Sequence, residues 1–207
     1  MTATSATLLT ALAARRGTSG SAQAIRVASV LFMTVSTAAA AQVSVPLPFT
    51  PVPFTFQPMV VLLAGLLLGS RLGAASQILY LAAGIAGLPV FAGSVILPPG
   101  ALRLIGPTGG YLLAYPLAAF VTGSLAERGL DRRYLTSVLA MLAGLLVIYT
   151  GGAAWLGLFA RTLSGSAAVG LEAAFFSGVY PFVIPDLLKL AAAAAIVPGL
   201  WRLVGRG

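Results

Sequence analysis

Residues 134–159 read YLTSVLAMLAGLLVIYTGGAAWLGLF, an apolar run of 26 residues that contains no charged side chain. A helix needs about 20 apolar residues to cross the hydrocarbon core of a bilayer. Charges bound the run on both sides, with Asp131, Arg132 and Arg133 just before it and Arg161 just after it. The run therefore predicts a transmembrane helix, and with it an all-α membrane protein.

The composition of the whole chain agrees with a lipid environment. Of its 207 residues, 59% are hydrophobic and only 8% are charged, whereas roughly 25% of the residues in an ordinary soluble domain are charged. A net charge of +8 would suggest nucleic-acid binding in a soluble protein. Here the arginines lie at the ends of apolar runs, so we interpret the excess charge as a signal of membrane orientation and expect no nucleic-acid partner.

The chain lacks the side chains on which much enzyme chemistry depends. It contains no cysteine and no histidine, which excludes disulfides, thiol catalysis, Cys/His metal sites and a Ser-His-Asp triad. Only four residues are acidic, and Asp186 alone falls in an apolar run. We therefore expect no enzyme activity, no metal and no cofactor.

Five further apolar runs accompany the first one. Four prolines within residues 46–53 interrupt the chain after one of them, because proline breaks a helix interior. Together the runs predict six transmembrane helices at about residues 24–45, 54–71, 72–88, 108–127, 134–159 and 180–203. The weaker segment 160–180 is expected to form a short surface helix. We expect residues 1–22 to be a flexible cytoplasmic tail and residues 23–207 to be the membrane domain.

The positions of the arginines test the number of spans, because cytoplasmic loops carry an excess of positive residues. With six spans and the N-terminus inside, only Arg103 and Arg161 lie outside. The nine others then lie inside: Arg15, Arg16, Arg26, Arg71, Arg128, Arg132, Arg133, Arg202 and Arg206. This distribution favours six helices in the plasma or inner membrane, with both termini in the cytoplasm.

Three ionisable residues are not explained by topology. Asp186 and Lys189 fall inside the last apolar run, where an isolated charge costs about 2.5–3.5 kcal/mol on insertion scales. They are three positions apart and so share one face of a helix, and Arg103 approaches from the same predicted side of the membrane. The pair is either a structural salt bridge or part of a ligand site. A carboxylate with two cations suits a small ligand that has an amide-like or urea-like end and an acidic end.

Two patterns of small residues are less specific. Residues 106–110, GPTGG, are followed by no Gly-Lys-Ser/Thr sequence and so do not form a P-loop. They predict either a tight turn or a close approach of the backbone to a ligand. Ala24 and Ala28 have the small-xxx-small spacing of a helix-packing face, which in so alanine-rich a chain is either a chance match or a face where a partner docks.

Several motifs, taken together, resemble those of one family. They are VPLPFTPVPFTFQ at 45–57, AGLLLG at 64–69, GIAGLPVFAG at 84–93, GPTGGYL at 106–112 and PDLLK at 185–189. This combination is similar to the BioY family, the biotin-binding substrate (S) components of energy-coupling-factor (ECF) vitamin transporters. The similarity covers roughly residues 24–203. Residues 94–100, SVILPPG, depart from it, because this segment is longer and more apolar than is usual in the family.

The resemblance implies a six-helix S component that captures biotin near the outer surface. It implies that Asp186, Lys189 and Arg103 contact the biotin and that residues 45–57 form a lid over the site. The other residues that it places at the site are Thr55, Gln57, Phe91, Gly93 and Tyr111. The implied partners are a membrane coupling subunit and two ATP-binding-cassette ATPases.

Three other functions stay open at this point. The first alternative is an S component for another vitamin, such as riboflavin or thiamine. The Asp186/Lys189 pair and the proline-rich loop argue against this alternative. A secondary transporter that works alone would normally show internal repeats, and none is convincing here. A membrane enzyme or a structural membrane protein is the third alternative.

Overall fold

The computed structural model describes residues 7–9, 19–94, 97–159 and 170–204, and almost all of the regular structure in them is helical. The longer helices are α1 (Ser19–Gln42), α2 (Gln57–Leu68), α3 (Ser70–Ile85), α5 (Gly109–Leu125), α6 (Tyr134–Leu158), α8 (Val183–Ala194) and α9 (Ile196–Val204). The shorter ones are α4 (Leu102–Ile105) and α7 (Leu171–Gly178). Two short antiparallel strands, β1 (Ser44–Val45) and β2 (Phe54–Thr55), close a loop between α1 and α2. We call residues 44–55 the hairpin loop.

Four helical stretches in the described residues are long and apolar enough to cross a membrane. They are Gly20–Gln42, Gly109–Leu130, Tyr134–Leu158 and Leu171–Arg202. The predicted second and third spans do form helices, α2 and α3, but these have only 12 and 16 residues. At 1.5 Å per residue, α2 covers only about 18 Å of the bilayer. The chain is thus a helical membrane protein, and the count of six spans stays a prediction.

The boundary between α2 and α3 explains why both helices are short. Gly69 has φ of 85°, a left-handed conformation that glycine adopts without strain and that ends α2. The next helix begins at once, and the Glu127 carboxylate accepts hydrogen bonds from the Ser70 N–H at 2.8 Å and from its hydroxyl at 2.9 Å. Glutamate suits this place, because a helix N-terminus has unpaired N–H groups and a positive dipole end. Glu127 therefore ties the end of α5 to the start of α3.

The core lies where α5 packs along α6, α3 and α2. Its largest fully buried side chains include Tyr80, Leu62, Met141 and Ile148. Large apolar side chains also cover the outside, as Leu135 and Leu188 show with 72% and 68% of their surface exposed. Such a surface needs lipid around it, because it would be costly in water.

The two ends of the bundle differ in charge. Arg71, Arg128, Arg132 and Arg133 lie at the end where α5 finishes and α6 begins, which we call the basic end. Arg103 lies at the opposite end, just before α5 starts. Four of the arginines used to predict the topology fall outside the described residues: Arg15, Arg16, Arg161 and Arg206. The orientation of the termini therefore stays a prediction.

Two predicted segments are described only in part. Of the expected flexible tail at residues 1–22, the structure describes residues 7–9 and 19–22, and Thr7, Leu8 and Leu9 are buried. Of the weaker segment 160–180, residues 160–169 lie outside the described residues, and the rest contains the short helix α7. This helix belongs to the apolar stretch Leu171–Arg202, so its place at the surface stays a prediction.

Candidate functional site

A cavity of about 630 Å³ opens at the end of the bundle opposite the basic end. The hairpin loop, residues 91–94, α4 and the first turns of α5 and α8 surround it. All eight residues that the sequence nominated for a site line this cavity: Thr55, Gln57, Phe91, Gly93, Arg103, Tyr111, Asp186 and Lys189. The structure thus brings together residues that are as much as 134 positions apart in the chain.

Asp186 and Lys189 form a buried ion pair in the cavity wall. The Lys189 Nζ lies 2.6 Å from the Asp186 Oδ1, and only 9% and 6% of the two side chains are exposed. The geometry follows from the i, i+3 spacing on α8, which the sequence predicted. Both partners belong to α8, so the pair lies within one helix, and a structural salt bridge and a part of a ligand site both stay open.

Lys189 also holds the hairpin loop. Its Nζ donates a hydrogen bond of 2.7 Å to the carbonyl oxygen of Thr55 in β2 and lies 3.8 Å from the ring centroid of Phe54. A cation over an aromatic face is stabilised by the ring quadrupole, more so when it is desolvated. A single side chain of α8 therefore fixes the position of β2 over the cavity.

Arg103 is bound differently, because its partners are uncharged. Its Nε donates to the carbonyl of Pro98 at 3.0 Å and its Nη1 to that of Ala92 at 2.9 Å. The ion pairs among the described residues are Asp131 with Arg132 and Asp186 with Lys189, so Arg103 has no carboxylate partner there. Burial lowers the pKa of the guanidinium, which stays charged at neutral pH because arginine ordinarily titrates above about 12.

The wall between α2 and α3 combines polar and aromatic groups. The Gln57 Nε2 donates to the Tyr80 hydroxyl at 2.6 Å, and that hydroxyl donates to the carbonyl of Val90 at 3.2 Å. Tyr80 also meets Phe91 edge to face, with ring centroids 5.4 Å apart. These contacts fix the side chains of Gln57 and Phe91 at the cavity.

Tyr111 and Gly93 contribute in a more limited way. The Tyr111 hydroxyl donates to the carbonyl of Gly178 at 2.8 Å, so this group ties α5 to the end of α7 and the ring is what faces the cavity. Gly93 has open space around the position of a Cβ, so no close contact requires a glycine there. Gly109 and Gly110 pack against Leu104 and Trp155, which indicates a tight entry into α5 at the GPTGG motif.

The polar residues of the cavity that were not identified from the sequence include Gln42, Tyr115 and Tyr149. The Tyr149 hydroxyl donates to the Asp186 Oδ2 at 2.7 Å, so both carboxylate oxygens have a donor. The apolar run of α6 contains Tyr149 but gives no periodic signal that would show which face turns inward.

Comparison with known proteins identifies the family. The BioY family profile matches residues 9–206. The chain is 43% identical to the "Probable biotin transporter BioY" of Pyrococcus horikoshii over 178 residues, which is 86% of this chain and 97% of that protein. It is 38% identical to the "Biotin transporter BioY" of Thermotoga maritima, over 76% of this chain and 85% of that one.

A solved structure is similar in fold. It is the crystal structure of "the S-component for biotin from an ECF-type ABC transporter", which aligns with a TM-score of 0.76 at 26% identity, over 90% of this chain and 95% of the other. Sequence and fold agree over nearly the full length of both chains. The protein therefore belongs to the BioY family.

Proposed function

We propose that this protein is the membrane-embedded component that binds biotin and takes it up, and that it does so as the S component of an ECF-type transporter. One observation carries the proposal: the cavity combines a paired aspartate and lysine with an arginine that has no acidic partner among the described residues. A cavity of about 630 Å³ is typical of small-molecule sites, which span roughly 300–1,000 Å³.

The charges of the cavity match the two ends of biotin. Biotin has a neutral urea ring at one end and a carboxylate at the other. Asp186 and Lys189 balance each other, whereas Arg103 leaves one positive charge for an anionic ligand. We therefore assign the biotin carboxylate to Arg103, since a guanidinium binds a carboxylate through two parallel hydrogen bonds. One urea N–H group then donates to Asp186, and Lys189 faces the urea oxygen.

The remaining wall supplies apolar contacts and a cover. Phe91 and Tyr111 pack on the thiolane ring and the aliphatic tail, while Thr55 of the hairpin loop and Gln57 at the start of α2 close the site. The 45–57 segment acts as a lid, and its attachment to α8 through the Thr55 carbonyl supports this role. Gly93 lines the same cavity and places the backbone of the 91–94 segment next to the ligand.

The proposal includes an orientation and partners. Residues 23–207 form a six-helix domain in the cell membrane, both termini are cytoplasmic, and residues 1–22 are a tail, so that biotin enters from outside. A membrane coupling subunit and two ATP-binding-cassette ATPases supply the energy. The similar S component comes from an ECF-type ABC transporter, which supports a partner of this kind. Ala24 and Ala28 are exposed on α1 and offer the docking face.

Displacement of radiolabelled biotin tests the choice of vitamin. We expect unlabelled biotin to displace the label from the purified protein, whereas riboflavin and thiamine at a hundredfold excess leave it bound. Displacement by riboflavin or thiamine would instead assign the cavity to a different vitamin. Uptake by cells with and without a coupling subunit then separates an ECF component from a carrier that works alone.

Neutralising a charge at the basic end should leave the site unchanged. Arg128 is exposed and lies at the far end of α5 from the cavity. We expect Arg128→Gln to bind biotin within twofold of the wild type, measured by the same displacement assay. A large loss of affinity would mean that the basic end takes part in biotin binding and that the orientation is wrong.

A further inference from the structure

Tyr149 makes a contact at the cavity that the proposed function does not use. It lies on α6, and its hydroxyl donates to the Asp186 Oδ2 on α8 at a distance of 2.7 Å. The other oxygen, Oδ1, accepts from Lys189 at 2.6 Å. Tyr149 and Asp186 both line the cavity, so the contact lies at its wall.

Two donors on two helices fix the plane of the carboxylate. A carboxylate rotates about χ2 when only one of its oxygens is held, and Lys189 alone would leave this freedom. The hydrogen bond from Tyr149 removes this rotational freedom, because it holds the second oxygen from a separate helix. An ionised carboxylate offers about four lone-pair sites, so about two are left for donors from a ligand. Tyr149 therefore decides in which direction those remaining sites point.

Two neighbouring tyrosines, Tyr111 of the cavity wall and Tyr80 of α3, do not have this role. The Tyr111 hydroxyl donates to a backbone carbonyl, that of Gly178, and the Tyr80 hydroxyl to that of Val90. Both contacts stabilise the packing of neighbouring segments. Among the described residues, Tyr149 is the tyrosine whose hydroxyl donates to the charged group assigned to the ligand.

We propose that Tyr149 is a positioning residue for recognition of the urea group: its hydroxyl orients the Asp186 carboxylate so that a free lone pair meets one urea N–H group. The inference rests on the proposed function, since it needs Asp186 to contact the urea. A hydrogen bond to a charged group is stronger than one between neutral groups. Without the hydrogen bond from Tyr149, the Asp186 carboxylate is free to rotate, and its alignment with the urea group is lost.

Tyr149→Phe in two backgrounds tests this role, since phenylalanine keeps the ring and its packing. We expect it to weaken biotin binding about tenfold in the wild-type background and less than twofold in Asp186→Asn, because the oriented charge is already gone there. The melting temperature of the ligand-free protein should change no more than in Tyr134→Phe. That control removes a hydroxyl from an exposed tyrosine on the same helix, outside the cavity.

The outcomes separate this inference from the proposed function. Saturable biotin binding by the wild type together with unchanged affinity in Tyr149→Phe would overturn the role of Tyr149 and leave the function standing. An equal fold-loss in both backgrounds, or a fall in melting temperature without a change in affinity, would make Tyr149 a structural tie between α6 and α8. If the wild type binds no biotin, the function and this inference both fail.

Discussion

Asp186→Asn is expected to weaken biotin binding by more than tenfold while the protein remains folded. The substitution is nearly isosteric but replaces an ionised acceptor by a neutral amide. Hydrogen bonds to charged groups contribute about 1.5–3 kcal/mol, and about 1.4 kcal/mol corresponds to a factor of ten in affinity. Lys189 keeps the Thr55 carbonyl and the Phe54 ring as partners, which limits the loss of stability.

The measurement is a binding isotherm for the purified variant, with gel filtration to establish that it is monodisperse. Glu172→Gln is the matched control, because it makes the same chemical change on α7 at an exposed position outside the cavity wall. We expect this control to bind like the wild type. Unchanged affinity in folded Asp186→Asn would remove Asp186 from the site and turn the buried pair into a structural feature.

Arg103→Gln is expected to weaken biotin binding at least tenfold and to remove the preference for a free carboxylate. Arg103 brings the positive charge of the cavity that no acidic residue in the described part of the chain balances. The wild type should bind biotin much more tightly than biotin methyl ester. In Arg103→Gln the two ligands should bind with nearly equal affinity, because the charge that distinguished them is gone.

The assignment of the biotin carboxylate to Arg103 depends on this comparison of the free acid with the methyl ester. Arg128→Gln again serves as the control, since it removes one positive charge from the basic end. If Arg103→Gln still prefers the free acid as strongly as the wild type does, the carboxylate is bound elsewhere, and Lys189 is then the remaining cation of the cavity.

The sequence predicted the charged part of the site because charges are rare in this chain. Asp186 and Lys189 stand out in an apolar run, and their i, i+3 spacing requires contact on one helix face. Arg103 stands out because it lies at the end of the bundle away from the other described arginines. The remaining nominated residues came from the resemblance to a family, and no periodic pattern would have selected Thr55, Phe91 or Gly93.

Other features were not predictable for a physical reason. In a helix that is apolar all round, hydrophobic periodicity does not show which face turns inward, so Tyr149 and Tyr115 gave no signal. The short length of α2 and α3 depends on the left-handed turn at Gly69 and on the contact between Ser70 and Glu127. That contact joins residues 57 positions apart, which a local pattern does not reveal.

Titration of the purified, biotin-stripped protein with biotin tests the central claim most directly. Trp155 is a suitable reporter, because its indole N–H donates to the Gly106 carbonyl at 2.9 Å beside the cavity residues Pro107 and Thr108. The indole N–H of the other tryptophan, Trp201, donates a hydrogen bond to Asp131 near the basic end. The variant Trp201→Phe therefore leaves Trp155 as the source of the fluorescence signal. We predict saturable one-to-one binding at nanomolar to low micromolar concentration. A folded, monodisperse sample that binds no biotin would contradict the account.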